Sequence, residues 1–158
     1  MKLPAMCIDK KGINGFTLVE LLIVIAVMLI LAVAGAGVFA NLQKTTQITD
    51  GADAIAQIFK LAKARAGAQF NGSGHGVYVR DRYYILYQGS SYASRDSGYD
   101  RVESLAASLS LTTSIVGRDI NFSKGLGVPS ATGTVRLIHN GNIERLITIN
   151  DFGTINVE

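Results

Sequence analysis

From Leu21 to Ala40 the chain carries no polar side chain. Twenty such residues in a helix rise about 30 Å, the thickness of a bilayer's hydrocarbon core, so this block can span a membrane. Beyond it Ile48, Ala52, Ile55, Phe59, Ala62 and Ala66 recur at intervals of four and three, which places them on one face of a continuing helix. Gln57, Lys60, Lys63 and Arg65 occupy the remaining surface, and the apolar stripe calls for a sheet to cover it. No proline interrupts residues 16 to 66, so the pattern predicts one helix from Phe16 to about Ala66. Its weakest stretch is 44 to 51, where Thr45, Thr46, Thr49 and Gly51 gather.

The period then changes to two. Val77 and Val79 precede Arg80-Asp81-Arg82, and Tyr83, Ile85 and Tyr87 follow, which reads as a β-hairpin. Residues 89 to 101 are Gly, Ser, Tyr and charge and read as a long loop, with a short helix expected over 102 to 109. Ile120 and Phe122 mark another strand, and the stretch from Gly125 to Gly133, with Pro129, breaks the pattern. Val135 and Leu137 alternate up to Asn140-Gly141, the preferred sequence of a tight primed turn, and Ile143, Ile147 and Ile149 alternate after it. A last turn at 151 to 153 leads into Ile155 and Val157. The expected fold class is α+β: a long N-terminal helix, membrane-spanning in its first half and amphipathic in its second, packed on an antiparallel β head. At 158 residues there is room for one such domain and no second.

Charge sharpens this organisation. Charged residues are 17% of the chain, below the usual quarter, because of the one apolar block. Of fifteen Lys and Arg, Lys2, Lys10 and Lys11 lie ahead of that block with Asp9 as their only acid, so without residues 1 to 15 twelve bases face eleven acids. The positive net charge is therefore a property of the start of the chain and not of a nucleic-acid surface. Basic residues before a span stay in the cytoplasm, so the segment after Ala40 is expected on the other side. The only cysteine, Cys7, also lies in that start, and no apolar segment precedes it as a lipoprotein signal would require.

Residues 15 to 25 read Gly-Phe-Thr-Leu-Val-Glu-Leu-Leu-Ile-Val-Ile. Here the sequence resembles the precursor motif of type IV pilins and type II secretion pseudopilins. The resemblance implies a leader, 1–15, removed after Gly15 by prepilin peptidase, N-methylation of the new terminal Phe16, and assembly with other pilins or pseudopilins through a helix at 16–40. It also implies an exported domain over 41–158, composed of helix 41–66 and a β head at 75–158. The protein would be a single-pass protein of the bacterial inner membrane, passing into a periplasmic or extracellular filament, with secreted cargo as a further partner.

Physical reasoning reaches Glu20 independently. It is the only ionisable side chain between Lys11 and Lys44 and stands at the entrance of an apolar helix. A carboxylate at a bilayer centre costs about 2.5 to 3.5 kcal/mol on insertion scales, less near the interface. The α-amino group of a cleaved Phe16 would compensate it, on the same helix or on a neighbouring subunit, where the pairing would set filament register. A glutamate solvated by lipid headgroups is the plainer alternative. An ordinary secretory signal fits less well, because the apolar run exceeds the 7 to 15 residues of such a segment and has an acid at its entrance. Many major pilins carry a helix-kinking proline where this chain has Gly35 and Gly37, which favours a minor subunit. The order of strands, with the ending from Ile147 to Ile155, resembles the H-type pseudopilin of type II secretion and its FimT-like minor-pilin relatives.

No enzymatic constellation is legible. His75 and His139 are isolated, without the spacing or cysteine partners of a zinc site. Gly125-Leu126-Gly127 lacks the Lys-Ser/Thr of a phosphate loop, and Ser90, Ser91, Ser94 and Ser97 have no paired base. Neither a metal nor a cofactor is expected. The unusual feature is that all six tyrosines, Tyr78, Tyr83, Tyr84, Tyr87, Tyr92 and Tyr99, fall within 22 positions among Arg80, Arg82, Arg95 and Arg101. Tyrosine and arginine mark protein interfaces, and basic aromatic grooves bind single-stranded nucleic acid. Tyr83, Tyr84, Tyr87, Tyr92 and Tyr99 are the candidate interface, with plain hairpin and loop packing as the alternative. Nucleic acid is the weaker ligand because Asp81, Asp96 and Asp100 nearly cancel the arginines. A DNA-uptake minor pilin is the alternative function.

Overall fold

The computed structural model describes residues 15–158; apart from Gly15, the expected leader and Cys7 lie outside the described residues. A single helix, α1, runs Leu18–Gly67, and the chain divides into two compact units after Ala40. In the first unit every side chain described from Leu18 to Ala40 is exposed, as a helix without a protein partner must be. Thr45 to Gly51, of weak helical propensity, is helical like the rest.

In the second unit the residues of α1 from Ile48 onward meet eight strands. β1 (His75–Val79), β2 (Tyr83–Gln88), β3 (Asp96–Ser104) and β5 (Asp119–Phe122) form one antiparallel sheet in the order β3-β2-β1-β5. β4 (Leu109–Thr113), β6 (Gly133–His139), β7 (Ile143–Ile149) and β8 (Ile155–Val157) form a second, in the order β4-β6-β7-β8. The six stripe residues of α1 are all fully buried. They pack in one core with Val77, Val79, Leu86, Ile120 and Phe122 of the first sheet and Leu109, Leu111, Val135, Leu137, Ile147 and Ile149 of the second. Period-two burial along β6 and 3.6-period burial along α1 thus converge on the same apolar volume.

The hairpin at Asn140-Gly141 forms as its sequence demands: φ is 47° at Asn140 and 78° at Gly141, and the Asn142 N–H donates to the His139 carbonyl at 3.1 Å. Positive φ at both central residues is the primed turn that matches strand twist.

Three expectations change. The antiparallel head is two sheets rather than one. The helix expected over 102 to 109 is instead the end of β3, a turn, and the start of β4, and residues 96 to 101 of the expected loop belong to β3. The reason is that β3 is an edge strand whose residues are almost all exposed, so it carries no alternation of apolar side chains to betray it.

Candidate assembly site

The start of α1 is built by its own sequence. Thr17 is the cap: its carbonyl accepts the Leu21 N–H at 3.2 Å and its hydroxyl accepts the Glu20 N–H at 3.2 Å. Thr-Leu-Val-Glu is therefore a capping-box sequence, with apolar residues, Phe16 and Leu21, at the two positions of a hydrophobic staple. Glu20 lies in the first turn, where a negative charge is favoured by the helix dipole. Phe16 is 81% exposed. Phe16 stands one residue before the Thr17 cap and Glu20 in the first turn, so an amine created at Phe16 would lie at the same end of the helix as the carboxylate. An ammonium at a helix N-terminus opposes the dipole, and Glu20 is the nearest counter-charge on its own chain. The capping box is written in the sequence as Thr-x-x-Glu before an apolar run.

The tyrosines sort into inside and outside. Tyr84 and Tyr87 are buried, at 5% and 0% exposure, and so are part of the domain's interior rather than surface groups. Tyr84 faces the α1 core. Tyr87 lies on the opposite face of its sheet, across Gly76 of β1: a Cβ at Gly76 would overlap the Tyr87 hydroxyl. Because Gly76 is opposite Tyr87 on one side and Asn121 on the other, the missing side chain lets the ring reach β5. There the Tyr87 hydroxyl donates to Asp119 Oδ1 at 2.6 Å and accepts from Asn121 Nδ2 at 3.2 Å. Burial first, then the bond to Asp119, raises the pKa of the Tyr87 phenol, which holds it in the donating form.

The loop from Gly89 to Arg95 closes over this face. Tyr92 donates its backbone N–H to Asp119 Oδ2 at 3.0 Å, stacks on Tyr78 at 3.7 Å and 7° between planes, and meets Tyr87 edge-on at 5.9 Å. The Arg95 guanidinium lies 3.9 Å over the Tyr92 ring, ion-paired to Asp100 at 2.8 Å. With Tyr78 against one face, Arg95 must take the other, so Tyr92 has no free face for a base. Tyr83 is half-buried, and Tyr99, 55% exposed, is the candidate interface residue most open to solvent. Asp119, Asn121 and Gly76 complete this cluster, and sequence reading missed all three because polar residues and a glycine in a strand give no hydrophobic period.

Both histidines are strand residues, buried at 2% and 5% exposure. Among the described residues His75 Nδ1 has no hydrogen-bond partner, and burial, with the positive charge of Arg65, lowers its pKa. His139 Nε2 is 3.2 Å from Gln47 Oε1. Among the described residues no three His, Cys, Asp or Glu side chains come together as metal ligands would.

Comparison with known proteins agrees with this geometry in two places. The profile of the prokaryotic N-terminal methylation motif matches residues 10–36. The fold is similar to that of the minor pseudopilin EpsH from the Type 2 Secretion System of Vibrio cholerae, with a TM-score of 0.56 and 14% identity over 71% of this chain and 96% of that one. It is also similar to the type IV minor pilin FimU of Pseudomonas aeruginosa, with a TM-score of 0.59 and 15% identity over 74% and 92%. A comparison with curated protein sequences gives no match. The chain thus joins an N-terminal methylation motif to a head with the pilin-like α+β fold.

Proposed function

We propose that this chain is a minor, non-enzymatic subunit of a type II secretion pseudopilus or a type IV pilus, anchored in the inner membrane by residues 16–40 with its head exported. Prepilin peptidase removes residues 1–15, Phe16 is methylated, and the helix enters a filament of other pilins or pseudopilins that supports secretion or pilus biogenesis. The observation that carries this reading is the methylation motif at 10–36 running directly into a helix whose far end is the core of a pilin-like head. The H-type assignment rests on strand order alone. The DNA-uptake alternative loses ground because Tyr78 and Arg95 cover the two faces of the Tyr92 ring and Tyr84 and Tyr87 are buried.

In this reading Glu20 pairs with a Phe16 amine and fixes axial register. Glu20→Ala makes the span more apolar and leaves Gly15 in place, so membrane insertion and cleavage persist while incorporation into sheared filaments falls at least tenfold. Glu20→Gln, which keeps shape and loses charge, separates ion pairing from hydrogen bonding. A Glu20→Ala subunit that is cleaved and incorporated like the wild type refutes the register mechanism.

A further inference from the structure

The edges of the two sheets are unequally protected. On β4 the Leu111 N–H donates to the Asp81 carbonyl of the β1–β2 turn at 2.8 Å. The outer edge of β5 is covered by Pro129, bridged to Phe122, and by Ser130, whose N–H donates to the Asn121 carbonyl at 2.7 Å. β8 is only three residues long. β3 is nine residues long and exposed, and among the described residues no other element bonds to its outer side over residues 99 to 104. An open edge of this length is a template for one more strand.

The phase of that edge follows from its inner side. The Leu105 N–H donates to the Arg82 carbonyl, and the register pairs Tyr84 with Glu103 and Leu86 with Arg101. Stepping by two along an antiparallel ladder, Arg101 and Glu103 spend their backbone groups on β2, and Val102 directs its N–H and carbonyl outward. Tyr84 and Leu86 face the α1 core, so Arg101 and Glu103 stand on the helix side of the sheet and Val102, 56% exposed, on the far side. An open groove of about 380 Å³ on the helix side has Ile58, Leu61 and Tyr84 on its floor and Arg101 and Glu103 on its rim. The edge thus offers one donor and one acceptor at Val102, flanked by one positive and one negative charge over an apolar floor.

β3 runs against α1. Asp96, at its start, pairs with Gln88, which pairs in turn with His75, whose ring meets Phe70 just past the end of α1. Beyond its other end Ser108 bonds to Gln47, early in the head's part of α1. An antiparallel partner therefore runs along with α1. A second copy cannot fill this role with its own β3, because its α1 would point the opposite way and could not enter the same filament. We propose that the outer edge of β3 captures an extended segment of a different polypeptide by strand addition, antiparallel to β3 and with the order basic, apolar, acidic. The apolar residue lies opposite Val102 and exchanges both backbone hydrogen bonds with it. The residue before it then faces Glu103 and the residue after it faces Arg101, so this order makes two opposite-charge pairs across the strands and the reverse order makes two like-charge ones. The long stems of the two charged residues cover the groove floor while their ends stay at its rim. A parallel strand would need the reverse order. Only the exclusion of a second copy rests on the proposed filament, so a failure of strand addition leaves that function standing.

Two synthetic peptides with blocked ends test this on the full chain, in detergent and in a Cys7→Ser background. Thr-Thr-Lys-Cys-Glu-Thr-Thr has the proposed order with a cysteine at its centre, and Thr-Thr-Glu-Cys-Lys-Thr-Thr has the same composition reversed. Opposed residues of a hydrogen-bonded antiparallel pair have Cα atoms about 5.5 Å apart, within the reach of a disulfide. Each peptide thiol is activated as its nitrothiobenzoate disulfide, and rates are normalised to a small neutral disulfide. Val102→Cys is expected to couple to the first peptide about tenfold faster than to the second. It is also expected to couple to the first at least tenfold faster than does Val116→Cys, whose side chain is 92% exposed but off the edge. Adding Arg101→Glu with Glu103→Arg is expected to reverse the preference between the peptides. Should that variant fail to fold, Arg101→Gln alone is expected to reduce the preference to about threefold. Equal rates for the two peptides, equal rates at 102 and 116, a preference for the reverse order on the unexchanged chain, or a preference indifferent to these charge changes overturns the proposal.

Discussion

Gly76→Ala is the perturbation that most sharply probes how the head is built. A Cβ at this position would overlap the Tyr87 hydroxyl and the carbon that bears it, and would press on the Ile120 carbonyl oxygen. The ring cannot tilt aside without giving up its bonds to Asp119 and Asn121, and Asn121 is itself 8% exposed. Forcing extra volume into a packed site costs about 1 to 3 kcal/mol, and leaving buried polar groups unpaired costs about 1 to 3 kcal/mol more. Together these predict a loss of roughly 2 to 6 kcal/mol, which at about 4 °C per kcal/mol for a domain of this size lowers Tm by roughly 8 to 24 °C. The chain has no tryptophan, and its six tyrosines all lie between 78 and 99. Near-ultraviolet circular dichroism therefore reads this cluster with little interference, and a thermal melt followed there is the assay. Tyr87→Leu removes the ring, so it is expected to cost at least 1 kcal/mol less in the Gly76→Ala background than in the wild type. That coupling is what a double-mutant cycle measures, and it stays partial because the Ile120 carbonyl is still in the way. A Gly76→Ala protein that melts within about 3 °C of wild type, with an unchanged near-ultraviolet spectrum, refutes the reasoning.

Two further predictions concern polar side chains, the buried His75 and the partly exposed Lys63. Because the folded pKa of His75 is depressed below its unfolded value of 6.5, the unfolded state binds the extra proton first, so the stability this residue contributes is full above that pH and is lost as pH falls below it. His75→Gln is expected to flatten the decline in denaturation midpoint as pH falls below about 6.5. Lys63 Nζ donates to the Phe152 and Gly153 carbonyls at 2.9 Å each, tying the last turn to α1. Lys63→Met is expected to cost about 1 to 3 kcal/mol and to speed amide exchange from Asn150 to Thr154 while leaving the Asn140-Gly141 hairpin protected.

The parts of this fold legible in sequence are those where burial has a period. Ile48 to Ala66 announces its face because every apolar side chain on it meets the core, and β6 and β7 are legible because alternation and Asn-Gly agree. β3 was illegible because nothing apolar is asked of an edge strand on either face. The division of the strands into two sheets was also hidden, because it rests on pairing between strands distant in sequence, β1 with β5 and β4 with β6. At the candidate assembly site, Gly15, Phe16 and Glu20 stood out through a motif and a lone charge, both local. The tyrosine cluster was visible as a cluster, but which rings face inward depends on Gly76 and Asp119, which are distant in sequence and silent in hydropathy.

In the proposed function residues 1–15 are removed and Phe16 begins a methylated, filament-forming helix. Intact-mass and N-terminal peptide mass spectrometry of the protein recovered from a host with prepilin peptidase tests it most directly. A chain starting at Phe16 with one added methyl group is expected, and an unprocessed precursor when the peptidase is deleted. A mature chain starting near Gly37 or Asn41, the product expected of ordinary signal peptidase, would contradict it.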